Sequence, residues 1–429
     1  MAEVESQKYQ LGPVPRGRSE GELMKRIRSS VLVILVAVAA VLPAAFAQGS
    51  LKVAVVGPFS GFESFIGPDT LKGVQLATDL INKAGGVMGK TIDVSTGDTT
   101  GDAIDAVPAL QKVVNVNHVN GIIGPSSVTI QAALPFIKNL DIVDVMVGGT
   151  TAIDNNQLPN LFRTTPSDSL MGVAMAYYAK TKGYTKAAVV FGTNASAQTL
   201  KAPVVDTFKK AGGTIVADVG ISPNQSSYRS EILKIYAAHP DVIFFQLDPG
   251  TGGTYFKEVT QLEGSTVPYV GTDVTASADF IKAVGAQTAD AMITSIQGSS
   301  TGGSGASAFD DAYKSKYGGK PVELANYGYD AMNVMALAWQ KAGATSGSAV
   351  FQAMHDVANA PGTACTTFAD CSALLKAGKE INYEGASGPV DFNAYGNVAA
   401  GFEAVKVDTQ GNAKVLLDIG AKDLEPFLK

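Results

Sequence analysis

The 429-residue chain has little of what catalysis or metal binding draws on: three histidines, two cysteines and one tryptophan. Nucleophilic catalysis needs a base held beside the nucleophile. His118 ends a helical segment, His239 precedes an apolar run and His355 lies in a late helix, so none stands where a strand ends and a site would open. No GxSxG, P-loop or HExxH pattern is present, and the sequence speaks against an enzyme and calls for no cofactor. Cys365 and Cys371 lie six residues apart and can close a small loop in an oxidising compartment. A metal is the lesser reading of that pair, because the nearest histidine, His355, is ten residues upstream. Basic charge is not in excess either. Lys and Arg number 33 against 39 Asp and Glu, with no basic stripe, which speaks against nucleic acid as a partner. Beyond residue 47 no apolar run approaches the roughly 18 residues of a membrane span.

What is present begins with an export signal. Met24 to Arg28 is a basic segment, Val31 to Leu42 is an apolar run of secretory length, and Pro43 to Ala47 supplies small residues for cleavage before Gln48. An uncleaved anchor is the alternative. Residues 1–23 are polar, mixed in charge and suited to no fold, so translation is expected to start at Met24, with 1–23 a spurious extension and 24–47 the signal peptide. No cysteine near the cleavage site offers a lipid anchor, and the mature protein is expected in the periplasm.

The mature chain of about 380 residues exceeds one ordinary core and predicts two lobes. Apolar runs alternate with amphipathic segments throughout. Leu51 to Gly57 reads as a buried strand, followed by a helix from about Pro68 to Ala84 and strands near Thr91, Asn120 and Ile142. A second series of strands starts at Ala187, Thr214, Asp241 and Pro268, spaced by 27 residues, the length of a strand and a crossover helix. The pattern predicts a doubly wound parallel α/β architecture occurring twice, with Gly298 to Gly305 as a crossover. Ligands in such sheets bind outside the carboxyl ends of the strands.

Residues 121–128, Gly-Ile-Ile-Gly-Pro-Ser-Ser-Val, are the most informative stretch. An apolar run ends in Gly124-Pro125, and two serines then open a helical segment from Val128 to Asn139. Backbone N–H groups and the positive end of a helix dipole there suit a small anion. A second strand-to-loop junction, Val143 to Thr151, follows one αβ unit later, and the pair reads as a carboxylate grip.

At this point the chain resembles the periplasmic substrate-binding proteins of branched-chain amino acid and amide ABC transporters. The matching pieces are Val53 to Gly61, Asn82 to Gly89, Gly124 to Ser127, Phe162 to Asp168, Tyr329-Asp330-Ala331 and Tyr383 to Phe392, in the family's order. The resemblance implies a type I periplasmic binding fold and capture of a small ligand between two hinged lobes for delivery to a permease, by a protein acting as a monomer. It also implies lobe limits: residues 51–167 with 298–385 in the first, 168–297 with 386–429 in the second, and a third crossing near Ala386–Asp391. A soluble sensory protein with no part in transport would look the same in sequence, and the neighbouring genes would separate the two.

The same resemblance implies site residues. Ser126 and Ser127 match the position that holds the ligand's α-carboxylate. Ordinary N-capping is the other reading, and the loop is one residue shorter than the family form, with Ser127 preferred. Gly149 and Thr150, with Thr151 beside them, match a clamp in which a backbone carbonyl and a hydroxyl meet the amino and carboxylate groups. Asp273 matches an acid that pairs with the ligand's ammonium. Three positions depart from the pattern. Ser196 stands where the family has an aromatic ring, Asp248 lies in a loop that usually supplies a tyrosine, and Phe65-Ile66 replaces the ring lining the side-chain pocket. An aliphatic side chain would lose roughly 2 kcal/mol of transfer free energy without such lining. Asp248 and Ser196 therefore predict a ligand whose distal end is polar or cationic, such as a basic amino acid, an amide or a urea-like compound.

Overall fold

The structure is a computed structural model that describes residues 12–13, 49–61, 63–262, 267–298, 304–322, 324–398 and 401–427. The expected extension and signal peptide lie outside the described residues except for Gly12 and Pro13, as do the middle of the Gly298–Gly305 crossover and the side chain of Ser196.

Fourteen strands are described: β1 (Leu51–Gly57), β2 (Ile92–Asp98), β3 (Gly121–Ile123), β4 (Val143–Met146), β5 (Leu161–Arg163), β6 (Lys186–Gly192), β7 (Thr214–Ile221), β8 (Val242–Gln246), β9 (Tyr269–Gly271), β10 (Ile293–Gly298), β11 (Thr363–Cys365), β12 (Ile381–Tyr383), β13 (Phe402–Val407) and β14 (Ala413–Ile419). One sheet runs β2-β1-β3-β4-β5 with every pair parallel. The other runs β14-β13-β10-β9-β8-β6-β7. Strands β6 to β9 begin within one residue of the starts expected from the 27-residue spacing. Unbroken apolar runs such as Val53 to Val56 and Val242 to Phe245 are buried throughout, as strands covered on both faces must be.

Helices Ile66–Lys83 and Ala325–Ala342 cover one face of the first sheet around Trp339, and helices Ala103–Asn115 and Ile130–Ile137 cover the other. Helices Asp168–Thr181 and Ala195–Lys210 cover one face of the second sheet, with Arg229–Ala237, Pro249–Leu262 and Ala278–Val284 opposite. Cys365 and Cys371 are joined in a disulfide with their Cα atoms 5.4 Å apart. Among the described residues no helix is long and apolar enough to cross a membrane.

Two details differ from expectation. The second sheet is mixed, because β13 pairs antiparallel with both β10 and β14. The turn Asp408–Asn412 between β13 and β14 is too short for the crossover that a parallel pair needs. The chain also stays with the first core beyond the crossing expected near Ala386–Asp391. Ala386, Val390, Phe392 and Val398 are buried in the Trp339 cluster, and Arg163 at the end of β5 bridges to Asn397. Asp330, fully buried in helix Ala325–Ala342, fixes that return. Its carboxylate accepts from Tyr383 Oη (2.8 Å), Ala386 N (2.9 Å), Ser387 N (2.7 Å) and Ser387 Oγ (2.6 Å). The motif Tyr329-Asp330-Ala331 is thus a brace between a core helix and the turn that follows β12.

Candidate functional site between the two sheets

Strand order fixes where a ligand would sit. In the first sheet the winding direction reverses between β1 and β3, and in the second between β6 and β8, so a crevice opens beyond the carboxyl ends of each pair. The sequence-predicted ligand residues follow the carboxyl ends of these four strands and of their neighbours β4 and β9: Ile66 after β1, Ser126 and Ser127 after β3, Gly149 to Thr151 after β4, Ser196 after β6, Asp248 after β8 and Asp273 after β9.

The first wall is tightly bonded. Gly124 has φ +120°, and a Cβ there would lie 1.9 Å from Val56 O, so the chain leaving β3 can turn beside β1 only with glycine at this point. The helix after it begins at Ile130, not Val128, with Thr129 as a cap that lends no side-chain bond. Ser126 and Ser127 are therefore not its caps. Thr129 N and Ile130 N both donate to Ser126 O, which makes a turn of the segment between. Among the described residues, the Ser127 and Val128 N–H groups donate to no protein acceptor. The two serines face different ways. Ser126 is buried, with Oγ 3.4 Å from Thr129 Oγ1, and lines a cavity of about 10 Å³ with Ile66, Gly124 and Val147. Ser127 Oγ accepts from Thr150 N at 3.3 Å and joins the two loops of the wall.

Arg163, which carried no role in the sequence reading, holds the second of these loops. It is buried, and its guanidinium donates to Gly149 O (3.2 Å), Thr150 O (2.8 Å) and Asp154 Oδ1 (2.7 Å). Gly149 O also accepts from Asp168 N at 2.6 Å. The carbonyl expected to meet a ligand's amino group is thus already occupied by two donors. The Thr150 hydroxyl accepts from Ala152 N at 3.3 Å as the cap of a 3₁₀ turn that Thr151 begins, and its own proton remains to be donated.

On the second wall the loop ends are helix caps. Asn194 Oδ1 accepts from Ala197 N at 2.9 Å, which places Ser196 in the first turn of helix Ala195–Lys210. Asp248 Oδ1 accepts from Thr251 N at 3.0 Å and caps helix Pro249–Leu262. An Asp followed by Pro is a helix-start signal, so this function was readable beside the ligand-facing one. Asp273 Oδ1 accepts from Val274 N at 2.9 Å. A groove of about 970 Å³ between the lobes is lined by Phe65, Asp69, Asp273, Gln297, Tyr327 and Ala386, among others. Its size suits a small molecule.

Two further acids, absent from the sequence reading, stand here. Glu63, in the loop after β1, has φ +58°, and its Oε2 is buried without a hydrogen-bond partner. Burial, then the charges of Asp248 and Asp168, push its carboxyl up to about 7. Asp168 opens helix Asp168–Thr181, accepts from Thr199 Oγ1 at 2.7 Å and lies so close to Gly149 that a Cβ there would fall 2.1 Å from Asp168 Oδ1. Burial raises Asp168 to about 7 despite the Thr199 bond, with Asp273 adding to the rise. Asp273 is itself pushed up to about 6 by burial. Nothing in the composition around Glu63 marks a left-handed residue. Asp168 was hidden as an ordinary acid in the first turn of a helix.

The model of the periplasmic binding protein family matches residues 50–412. A Leu/Ile/Val-binding protein homologue of Brucella melitensis is 26% identical over 320 residues, 73% of this chain and 85% of the relative. Among solved structures, the branched-chain amino acid transporter substrate-binding protein of Streptococcus pneumoniae, in complex with isoleucine, superposes with a TM-score of 0.72 at 22% identity, over 87% of this chain and 99% of that one. An ABC transporter solute-binding protein of R. palustris, in complex with benzoate, gives a TM-score of 0.72 at 18% identity, over 87% and 97%. These likenesses give the two-lobed α/β architecture its name, the type I periplasmic binding fold. The family implies a place outside the cytoplasm. The chain belongs to the periplasmic binding protein family, is similar to Leu/Ile/Val-binding proteins, and is a binding protein and not an enzyme.

Proposed function

We propose that the protein captures an amino acid or amide-type small molecule between its lobes and delivers it to the permease of an ABC transporter. The observation that carries this reading is that hydroxyl and N–H donors follow the strand ends of the first sheet and carboxylates follow those of the second. Isoleucine and benzoate, bound by two of the similar proteins, share a carboxylate. Ser127 Oγ, Thr150 Oγ1 and the N–H groups of Ser127 and Val128 supply donors suited to a carboxylate or carboxamide oxygen, and Asp273 suits an ammonium. Closure is a rotation of one lobe on the other about the crossings at Thr164–Ser167, Gly298–Gly305 and the stretch before β13. The exported protein is cleaved after Ala47 and acts as a monomer.

Ligand released from protein purified from its own cells should be a small molecule with a carboxylate or carboxamide by mass spectrometry; one with neither overturns the reading. Deleting the gene should abolish uptake of that compound. Intact uptake with a lost transcriptional response to it would point to a sensor.

A further inference from the structure

Outside the ion pair of Arg163 with Asp154 Oδ1, four carboxylates stand in the loops and first turns that follow the strand ends: Glu63, Asp168, Asp248 and Asp273. Among the described residues none of the four forms an ion pair with a lysine or arginine. They come from both walls, Glu63 from the loop after β1 and Asp248 from the loop after β8. Like charges so placed repel, and desolvation adds to the cost. The independent observation is Glu63 Oε2, which is shut off from solvent without a hydrogen-bond donor. Described residues on either side of position 62 are anchored. Asp98 accepts from Phe59 N (2.9 Å), Ser60 Oγ (2.6 Å) and Thr100 N (2.8 Å), and Ile66 N donates to Glu63 O at 3.0 Å. A buried acceptor on which the charges of two further acids act calls for a donor from outside.

A metal ion does not fit, since among the described residues no three acids or other ligating side chains converge closely enough to hold one. An organic cation with several N–H donors spread over a larger radius does fit. Accepting that the cleft takes an amino acid or amide, on which this inference rests, Asp273 takes the ammonium, which leaves Glu63 without a donor and leaves Asp168 and Asp248, each bonded to a neutral donor, without an ion pair. The charge of Arg163 acts on Asp168 from outside bonding distance.

We propose that the ligand carries a second positive group at its distal end, a guanidinium or side-chain ammonium, gripped by Glu63 from one lobe and by Asp248 and Asp168 from the other. Such a grip forms only when the lobes close, so the cation both selects the ligand and holds the closed form. Because Glu63, Asp168 and Asp273 are all raised towards neutrality by burial, cation binding draws protons off them.

The test is calorimetry on the mature protein with arginine, lysine, citrulline, leucine and glutamine, in two buffers of different ionisation enthalpy near pH 6. Citrulline has the shape of arginine without its charge. Arginine or lysine should bind more tightly than citrulline and leucine by about tenfold or more, with protons released. Glu63→Gln should weaken that binding about tenfold and reduce the protons released, with cooperative unfolding kept. If Glu63→Gln fails to fold, Asp248→Asn, which keeps the helix cap, gives the same reading. Citrulline or leucine binding as tightly as arginine, unchanged by either variant, overturns the second cation site and leaves the amino-acid reading intact. No response to any amino acid or amide overturns the reading beneath it as well.

Discussion

The two walls of the crevice are built on opposite principles. On the first, Ser127, Gly149, Thr150, Asp154, Arg163 and Ser167 bond to one another, so most polar groups are committed within the protein. On the second, Asp248 Oδ1 and Asp273 Oδ1 each accept from a backbone N–H at the start of a helix or turn, and neither acid forms an ion pair among the described residues. The first wall is rigid, and its few remaining donors suit a group common to many ligands. The second, with Glu63 reaching towards it, carries uncompensated charge and is where one ligand can be told from another. A family can therefore keep one wall and vary the other.

The sharpest way to break this comparison is at Arg163. Arg163→Met leaves Asp154 without its cation, Thr150 O without a donor and Gly149 O with Asp168 N alone. Removing one partner of a largely buried pair costs roughly 3 kcal/mol or more. Urea denaturation at pH 7 should show the loss, and ligand affinity should fall with it because the Gly149–Thr150 loop is no longer held. A change below about 1 kcal/mol would mean the first wall does not depend on its internal bonds.

A second acid of the first sheet sharpens the contrast from within. Asp144, in β4, is fully buried, neither of its oxygens has a hydrogen-bond partner among the described residues, and burial raises its carboxyl well above the ordinary range. Asp154 and Asp330 show what a compensated acid looks like; Asp144 is uncompensated. Asp144→Val, which restores the apolar pattern of a covered strand, should stabilise the protein by about 1–3 kcal/mol at pH 7. The gain should shrink towards pH 4, where the unfolded chain also holds the proton. An equal gain at both pH values would mean that ionisation has no part in it.

Much of the fold was legible because it rests on repetition. Buried parallel strands are continuous apolar runs, and the 27-residue spacing located β6 to β9 to within one residue. The loops after β3 and β4 were legible as strand-to-helix junctions. The late return of the chain to the first core was not, because Val390, Phe392 and Val398 form no regular element and are positioned by Asp330 from far away in sequence. Arg163, Glu63 and Asp168 escaped for the same reason. The groups that act on them lie across the crevice or across a loop, and no local pattern records an interaction of that kind.

The charge on the second wall gives a third expectation, in pH. Glu63 is raised from 4.5 to about 7, Asp168 from 3.8 to about 7 and Asp273 from 3.8 to about 6, each chiefly by burial. A carboxyl whose folded value exceeds its unfolded value holds a proton that the unfolded chain releases, so stability falls as pH rises between the two values. The melting temperature of the ligand-free protein should therefore decline from about pH 4 to about pH 7 and then level off. Glu63→Gln should flatten the decline. A melting temperature that rises through this window would mean that the acids are already compensated, and the contrast between the walls would fall.

The smallest effect separates the two functions of Asp248. As a cap it accepts from Thr251 N at 3.0 Å, and as a charge it faces Glu63. Asn and Asp cap helices about equally well, so Asp248→Asn keeps the bond. It gives up a favourable charge at a helix start, a loss of about 0.3–1 kcal/mol, and it relieves repulsion with Glu63, which acts in the other direction. The net change in unfolding free energy should stay within about 0.5 kcal/mol. At the same time the carboxyl of Glu63 should titrate lower than in the parent protein, as followed by NMR of that side chain. An unmoved Glu63 would mean that Asp248 is a cap alone and that the second wall is less acidic, where it matters, than its sequence implies.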